Sequence, residues 1–283
     1  MIPFMNLIVT GIVHLNEDFI MFGYRKAFGF KYFCLYYRTS SICVVPEACA
    51  LYMYFRTQRK KYFLHFLFFF FELFFSGARA NMFSSIIIFI VCFISYLFFI
   101  RKRILLGLVF TLSFLFAGTY ILLMLVTEKE SSNIVKLGHL ESFLQLFNQN
   151  PIRTLLFGFG PGAFMYSKGV GGYTSLTELS YMELIKSYGL IQTIFLLVSF
   201  CIPFIKLWIK KQSSFEKICF TMAYASFFFI AGTNPLFSGS TGFTTIIAMF
   251  YLCDKDILKE FMQPKEKRRI VRNSFILTYR SVC

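Results

Sequence analysis

Acidic residues are scarce in this sequence, with 14 Asp and Glu against 29 Lys and Arg, which gives a net charge of +15. Charged residues of both signs make up only 15% of the chain, whereas hydrophobic residues make up 57% and Phe alone contributes 41 of the 283 residues. This balance excludes an ordinary soluble domain. It indicates a polytopic membrane protein.

Residues typical of metal centres, disulfides and signal peptides are also lacking. The three histidines, His14, His65 and His139, are too scattered for a zinc site, and the eight cysteines form no CxxC pair. We therefore expect no metal and no cofactor, and we expect the cysteines to be small apolar packing residues. Residues 1–13 have no basic start and no small-residue cleavage site, so no cleavable signal peptide is predicted.

The positive charge lies in clusters between apolar runs. Two clusters, at residues 56–61 and 101–103, stand on the far sides of the apolar runs 62–75 and 81–100. Because Lys and Arg concentrate in the cytoplasmic loops of membrane proteins, both clusters are predicted on the same, inner side of the membrane. They are typical of anchors at the inner leaflet, so we expect no nucleic-acid partner.

The turn between these two runs, residues 76–80 (SGARA), is then on the outer side. Ser76 is predicted to cap the following helix, whose first turn offers unpaired N–H groups and the positive end of the helix dipole. Arg79 is well placed there to bind an anion such as phosphate; the alternative is that it only reaches lipid head groups. Glu72 stands seven residues earlier, and helical spacing would orient it towards Arg79; the alternative is a protonated or snorkelling carboxyl.

Alternating apolar and basic stretches predict the topology. The expected spans are residues 41–55, 62–75, 81–100, 104–126, 189–207, 215–232 and 236–253. Residues 1–13 are too short to span, and we expect a half-span, a re-entrant piece or the remnant of a helix whose start is missing. The expected fold is therefore all-α, a polytopic transmembrane helical bundle over residues 1–253 with about seven to eight membrane segments. Residues 127–188 form one large external loop, and residues 254–283 form a basic cytoplasmic tail.

The basic segment 14–38 falls on the outer side in this topology, against the usual charge bias. Either it binds an anion, for which Arg38 is a candidate, or the beginning of the chain is oriented differently. Glu47, within the next apolar run, needs a partner or water at membrane depth.

The loop contains three local patterns. Apolar residues from Leu137 to Phe147 follow helical spacing and predict an amphipathic helix on the membrane surface or over a cavity. Residues 155–164 (LLFGFGPGAF) predict a tight turn with exposed backbone donors, and a nucleotide site is disfavoured because no βαβ unit surrounds it. Residues 177–188 (TELSYMELIKSY) predict a helix capped by Thr177, with Glu178 in its first turn.

Three motifs stand in a fixed order: SGAR at 76–79, GFGPGAF at 158–164, and TELSY followed by YGL within 177–190. Over about residues 25–253 this order resembles the O-antigen polymerase and ligase superfamily of bacterial envelope proteins. The ligase branch has a His-Asn pair eleven residues before the glycine of the last motif. Because Glu178 and Leu179 stand there, the chain looks more similar to the polymerase branch.

The resemblance implies a multi-pass protein of the bacterial inner membrane that transfers a glycan from one polyprenyl diphosphate carrier onto a lipid-linked repeat unit in the periplasm. It implies no cofactor, and its expected partners are the polyprenyl diphosphate-linked oligosaccharide, membrane lipids and a chain-length regulator. Arg38, Arg79 and Arg153 are the candidates for binding the diphosphate. Arg79 would also stabilise the leaving group, and Glu178 or His139 would be the base.

Two departures and two alternatives accompany this resemblance. Members of the superfamily carry an arginine on the first helix of the loop, where this chain has His139, and they have several more spans at the N-terminus. The chain is therefore expected to be a shortened or truncated member. The alternatives are an O-antigen ligase and a non-enzymatic flippase or transporter; transporters distribute charge through intramembrane cavities, whereas here polar residues concentrate in the loop 127–188.

Overall fold

Helices dominate the computed structural model, which describes residues 20–27, 30–37, 40–76, 78–127, 131–209, 213–234, 236–237 and 240–254. The α-helices in these residues are α1 (Val44–Thr57), α2 (Lys60–Phe75), α3 (Arg79–Phe99), α4 (Ile104–Thr127), α5 (Ser131–Gln149), α6 (Pro151–Leu156), α7 (Ser180–Tyr188), α8 (Leu190–Phe200), α9 (Ile202–Ile209), α10 (Ser214–Thr233) and α11 (Ser240–Asp254). A 3₁₀ helix, Ser40–Cys43, precedes α1. The expectation of a mainly helical fold is confirmed.

Two short antiparallel hairpins depart from the all-α expectation. The strands are β1 (Ile20–Ala27), β2 (Phe30–Tyr37), β3 (Met165–Ser167) and β4 (Gly172–Thr174). In the first hairpin Ile20 is opposite Tyr37 and Ala27 is opposite Phe30, so the connection is two residues long. Residues 20–37 are rich in aromatic side chains, which favour strands.

Three helical stretches are long and apolar enough to cross a membrane: Arg79–Phe99, Leu190–Ile209 and Ser214–Gly232. Two shorter apolar helices, Ile104–Thr119 and Gly242–Leu252, accompany them. These stretches indicate a membrane protein.

Helices α1, α3 and α10 form the centre of the bundle. Cys92 of α3 and Cys219 and Ala223 of α10 are fully buried, and such small side chains allow helix backbones to approach closely. Towards one end, the rings of Phe55 and Tyr96 stack with their centroids 4.5 Å apart.

Both basic clusters lie at this end of the bundle. Gln58, which ends α1 with a φ of +54°, donates from Nε2 to the Tyr96 hydroxyl at 3.3 Å. Arg101, just beyond α3, donates from Nε to the same hydroxyl at 2.5 Å. The prediction that residues 56–61 and 101–103 share one side is therefore consistent with the fold, and the break between α2 and α3 lies at the opposite end.

Candidate functional site

A short break between α2 and α3 carries Arg79. Helix α2 ends at Phe75, and α3 begins at Arg79 with Ala78 as its N-cap. Ser76 is not the N-cap that the sequence predicted. Its hydroxyl donates to the carbonyl of Leu73 at 2.8 Å and so completes the end of α2.

The break also removes the predicted helical alignment of Glu72 with Arg79. Helical i, i+7 spacing requires one continuous helix, and α2 ends between these two residues. Instead, Cys43 donates from Sγ to Glu72 Oε1 at 2.8 Å. Glu72 therefore ties α2 to the 3₁₀ helix.

A buried amide fixes the position of the break. Asn81 donates from Nδ2 to Ser40 Oγ at 2.8 Å and to Ser76 Oγ at 3.0 Å, and its Oδ1 accepts from Ser41 Oγ at 3.2 Å. All four side chains are buried, so each of these hydrogen bonds replaces one to water. The hydrogen bonds of Asn81 therefore fix the backbone two residues after Arg79, where α3 begins.

Helix α5 connects the start of α3 to the segment before α7. Arg79 donates from Nη2 to Asn133 Oδ1 at 3.3 Å. Lys136 lies one turn further along α5, and its Nζ is 3.6 Å from Glu178 Oε2. Two predicted site residues, Arg79 and Glu178, thus both contact side chains of α5. The structure adds Asn133 and Lys136, which sequence reasoning missed; we call these four side chains the rim residues.

Two of the rim residues, Asn133 and Lys136, line a cavity of about 410 Å³, and Arg79 and Glu178 contact these two side chains. The cavity is lined by Asn133, Lys136, Leu137, Leu140, Leu179, Tyr181, Met182 and Gly232. Apart from Asn133 and Lys136, its walls are largely apolar. A cavity with apolar walls and a few polar groups at one edge suits a ligand that is itself part apolar and part charged.

Glu178 lies before helix α7 and not in its first turn, contrary to expectation. Helix α7 begins at Ser180 with Leu179 as its N-cap, and Thr177, the predicted cap, donates from Oγ1 to Glu183 Oε2 at 3.3 Å. The side chain of Glu178 is 54% exposed, so a substrate can reach its carboxylate.

His139 lies where α5 meets the hairpin of β3 and β4. Its Nδ1 is 2.6 Å from Ser167 Oγ, and the side chain is 4% exposed. Burial lowers the pKa of the imidazole, while the carboxylates of Glu178 and Glu183 oppose that shift. Nδ1 of the neutral ring therefore joins α5 to β3 through Ser167. Nε2 is the ring nitrogen that could act as a base.

The other two predicted diphosphate ligands are not among the rim residues. Arg153 of α6 donates from Nε to the carbonyl of Gly158 at 3.1 Å, and its guanidinium lies 4.8 Å from the centre of the Phe159 ring. These two contacts of Arg153 support the glycine-rich turn. Arg38 lies outside the described residues.

The glycine-rich turn packs against the end of α7. Phe159 N donates to the carbonyl of Lys186 at 2.6 Å, and Gly160 N donates to that of Ser187 at 3.1 Å. These two backbone donors, expected to be exposed, instead satisfy carbonyls that the last turn of a helix leaves unpaired. The two glycine motifs of the sequence therefore meet in space, at Gly158 and Gly189.

Replacing Gly158 by alanine should destabilise the loop. Gly158 has a φ of +69°, and an added Cβ would stand 2.6 Å from Gly189 N and 2.7 Å from the carbonyl oxygen of Lys186. Gly171 has a φ of +66° and open space around it, so Gly171→Ala is a matched control. The positive φ alone costs about 1–2 kcal/mol in each variant.

We expect Gly158→Ala to lower the thermal midpoint of the detergent-solubilised protein clearly more than Gly171→Ala does, because only the first variant also forces backbone atoms apart. Equal midpoints for the two variants would contradict the packing of the turn on α7.

A buried ion pair inside α7 was not anticipated from the sequence. Lys186 Nζ lies 2.6 Å from Glu183 Oε1 and donates to the carbonyls of Ala163 at 2.9 Å and Ser175 at 2.8 Å. All three N–H groups of the ammonium thus have acceptors, and Thr177 holds the second oxygen of Glu183. In the sequence, only the spacing of Glu183 and Lys186, three residues apart, indicates an ion pair. The same spacing is equally typical of an exposed helix face, so it does not predict burial.

Comparison of the chain with protein-family models, with curated proteins and with solved structures finds no match. The resemblance carried by the three sequence motifs therefore remains an expectation. The case for a function rests on the rim residues, the cavity beside them and the topology.

Proposed function

We propose that the chain is an O-antigen polymerase, a glycosyltransferase of the bacterial inner membrane with several passes and one periplasmic loop, residues 127–188. It would transfer a growing glycan from its polyprenyl diphosphate carrier onto the terminal sugar of a lipid-linked repeat unit. No metal or cofactor is required in this proposal.

The main support is the placement of two cations and one carboxylate beside an apolar cavity. Arg79 of α3 contacts Asn133 of α5, Lys136 lies one turn further along α5, and Glu178 pairs with Lys136. A guanidinium and an ammonium together match a diphosphate, whose charge grows as the glycosidic bond breaks. The apolar walls of the cavity suit the first units of an isoprenoid chain.

The proposed reaction is a single displacement at the anomeric carbon of the donor glycan. A hydroxyl of the acceptor sugar forms the new C–O bond while the bond to the carrier diphosphate breaks, and the diphosphate leaves with the bonding electrons. Arg79 and Lys136 stabilise that leaving group, and Glu178 accepts the proton of the attacking hydroxyl.

The contact of Lys136 with Glu178 provides a way to couple binding to catalysis. At 3.6 Å and with Glu178 half exposed, the ion pair is weak, so an incoming diphosphate competes effectively for Lys136. Once Lys136 turns to the diphosphate, the carboxylate of Glu178 is released from the ion pair and can accept a hydrogen bond from the attacking hydroxyl. His139 Nε2 is the second candidate base, and Arg38 and Arg153 are further candidate ligands for the carrier or the glycan.

Glu178→Gln should reduce the rate of polymerisation about 100-fold, because an amide cannot accept the proton of the attacking hydroxyl. The rate is measured with purified protein and lipid-linked repeat units, by the appearance of longer glycans. Glu141→Gln is the matched control, since Glu141 also lies in the loop and pairs with a lysine, Lys168, at 3.3 Å. A normal rate for Glu178→Gln would remove this residue from the role of base.

The polymerase assignment itself is tested in a strain that lacks the chain. We expect lipid A capped with a single repeat unit on deletion and a full ladder of glycan lengths on complementation. Complete absence of surface glycan with repeat units retained on the carrier at the cytoplasmic face would indicate a flippase. Polymerised glycan that remains on the carrier and never reaches lipid A would indicate a ligase.

A further inference from the structure

A second cavity lies at the end of the bundle opposite to the break between α2 and α3. It has a volume of about 260 Å³ and lies between the last turns of α1, the first turn of α2 and the last turns of α3. Its lining consists of Leu51, Tyr54, Phe55, Gln58, Phe63, Phe89, Phe93 and Tyr96. The walls are thus aromatic and aliphatic over most of their area.

One edge of this cavity is polar. Gln58 and Arg101 both donate to the hydroxyl of Tyr96, at 3.3 Å and 2.5 Å. The Arg101 guanidinium also lies 5.6 Å from the centre of the Tyr96 ring. The cavity therefore runs from a cation at its edge into an apolar interior.

The chain around this edge is strongly basic. Residues 56–61 contribute four cations and residues 101–103 contribute three, without any Asp or Glu in either segment. These side chains are all exposed: Arg56, Arg59, Lys60, Lys61, Arg101, Lys102 and Arg103. Glu216 of the neighbouring α10 accepts a hydrogen bond from Tyr52, but it leaves a large excess of positive charge at this end.

We infer that this cavity is a binding site for an anionic phospholipid. The phosphate of the head group binds between Arg101 and Arg59, and part of one acyl chain enters the cavity past Phe63, whose side chain is 37% exposed. Basic pockets between membrane helices on the cytoplasmic side are suited to anionic head groups. The apolar interior favours a lipid over free phosphate, because phosphate cannot fill it. This inference does not depend on the glycan chemistry of the loop.

The experiment compares three additives to the purified full chain in a neutral detergent. Phosphatidylglycerol offers both negative charge and acyl chains, phosphatidylcholine offers acyl chains without net charge, and glycerol phosphate offers charge without acyl chains. We expect phosphatidylglycerol alone to raise the thermal midpoint in a saturable way, since a ligand that binds only the folded state stabilises it. Equal shifts with both lipids, or a shift with glycerol phosphate, would overturn the inference.

A double variant, Arg59→Gln with Arg101→Gln, should weaken the apparent affinity for phosphatidylglycerol about 25-fold, at a factor of about five for each surface cation. The control is Lys210→Gln with Lys211→Gln, which removes the same charge from another basic stretch that the sequence places on the same side. If both double variants lose affinity equally, the lipid responds to net charge and the site does not exist.

Arg101 also contacts Tyr96, so its loss could disturb the fold. Arg59→Gln alone changes an exposed side chain and is the variant to use in that case, with an expected loss of about fivefold. An unchanged affinity in Arg59→Gln, measured on protein with the normal midpoint in lipid-free detergent, would likewise exclude the site.

Discussion

Arg79→Ala is expected to reduce the rate of polymerisation about 100- to 1,000-fold, the range observed when one donor to a developing negative charge is removed. The expectation follows from the position of Arg79 at the start of α3 beside the cavity, where its guanidinium is held by Asn133. The measurement is the rate of glycan extension on lipid-linked repeat units. In cells, the ladder of glycan lengths should shrink to one repeat.

Arg79→Lys separates charge from geometry. A lysine keeps the positive charge but loses the planar fork of the guanidinium, so rescue should be weak if two oxygens of the diphosphate are bound at once. Lys168→Ala, which removes a cation from the exposed pair with Glu141, is the control and should leave the ladder unchanged. A full-length ladder from Arg79→Ala would reject the assignment of Arg79.

Lys186→Met is expected to lower the free energy of unfolding by about 3–5 kcal/mol, the cost of leaving the partner of a buried ion pair uncompensated. Glu183 would keep a buried charge, and the carbonyls of Ala163 and Ser175 would lose their donor. We expect a lower thermal midpoint in detergent and faster trypsin cleavage within residues 127–188.

Two further variants distinguish this effect from a general loss of charge. Glu183→Gln combined with Lys186→Met removes both charges and should recover a large part of the lost stability. Lys168→Met breaks the exposed pair with Glu141 and should cost about 0–1 kcal/mol. If Lys186→Met and Lys168→Met destabilise the protein equally, the buried pair does not have the strength that its burial implies.

Local features of the fold were predictable because they depend on neighbouring residues. The apolar run at 104–126 became α4, Ile104–Thr127, and the run at 215–232 became α10, Ser214–Thr233. The turn around Arg79 was predictable for the same reason, since small residues between two long apolar runs interrupt a helix. The aromatic segment of β1 and β2 was the exception, because the prediction for it rested on its basic residues alone, whereas its aromatic residues favour strands.

The contacts that build the candidate site were not predictable, because they join residues far apart in the chain. Asn81 meets Ser40 and Ser41 across about forty positions, and Lys136 meets Glu178 across a similar distance. Helical spacing predicts which residues share a face, but it does not predict which other segment that face will meet. In the sequence, Asn133 and Lys136 have the character of ordinary polar residues on an exposed helix face.

The contact between Gly158 and Gly189 couples the glycine-rich turn to the start of helix α8. Their backbones touch with no side chain between them, and Lys186 ties the same turn to Ala163 and Ser175. A tilt of α8, such as a change in bilayer thickness produces, must therefore carry α7 with it. We therefore expect the thickness of the surrounding lipid to alter the gap between α5 and α7, and with it the space that is open to a substrate.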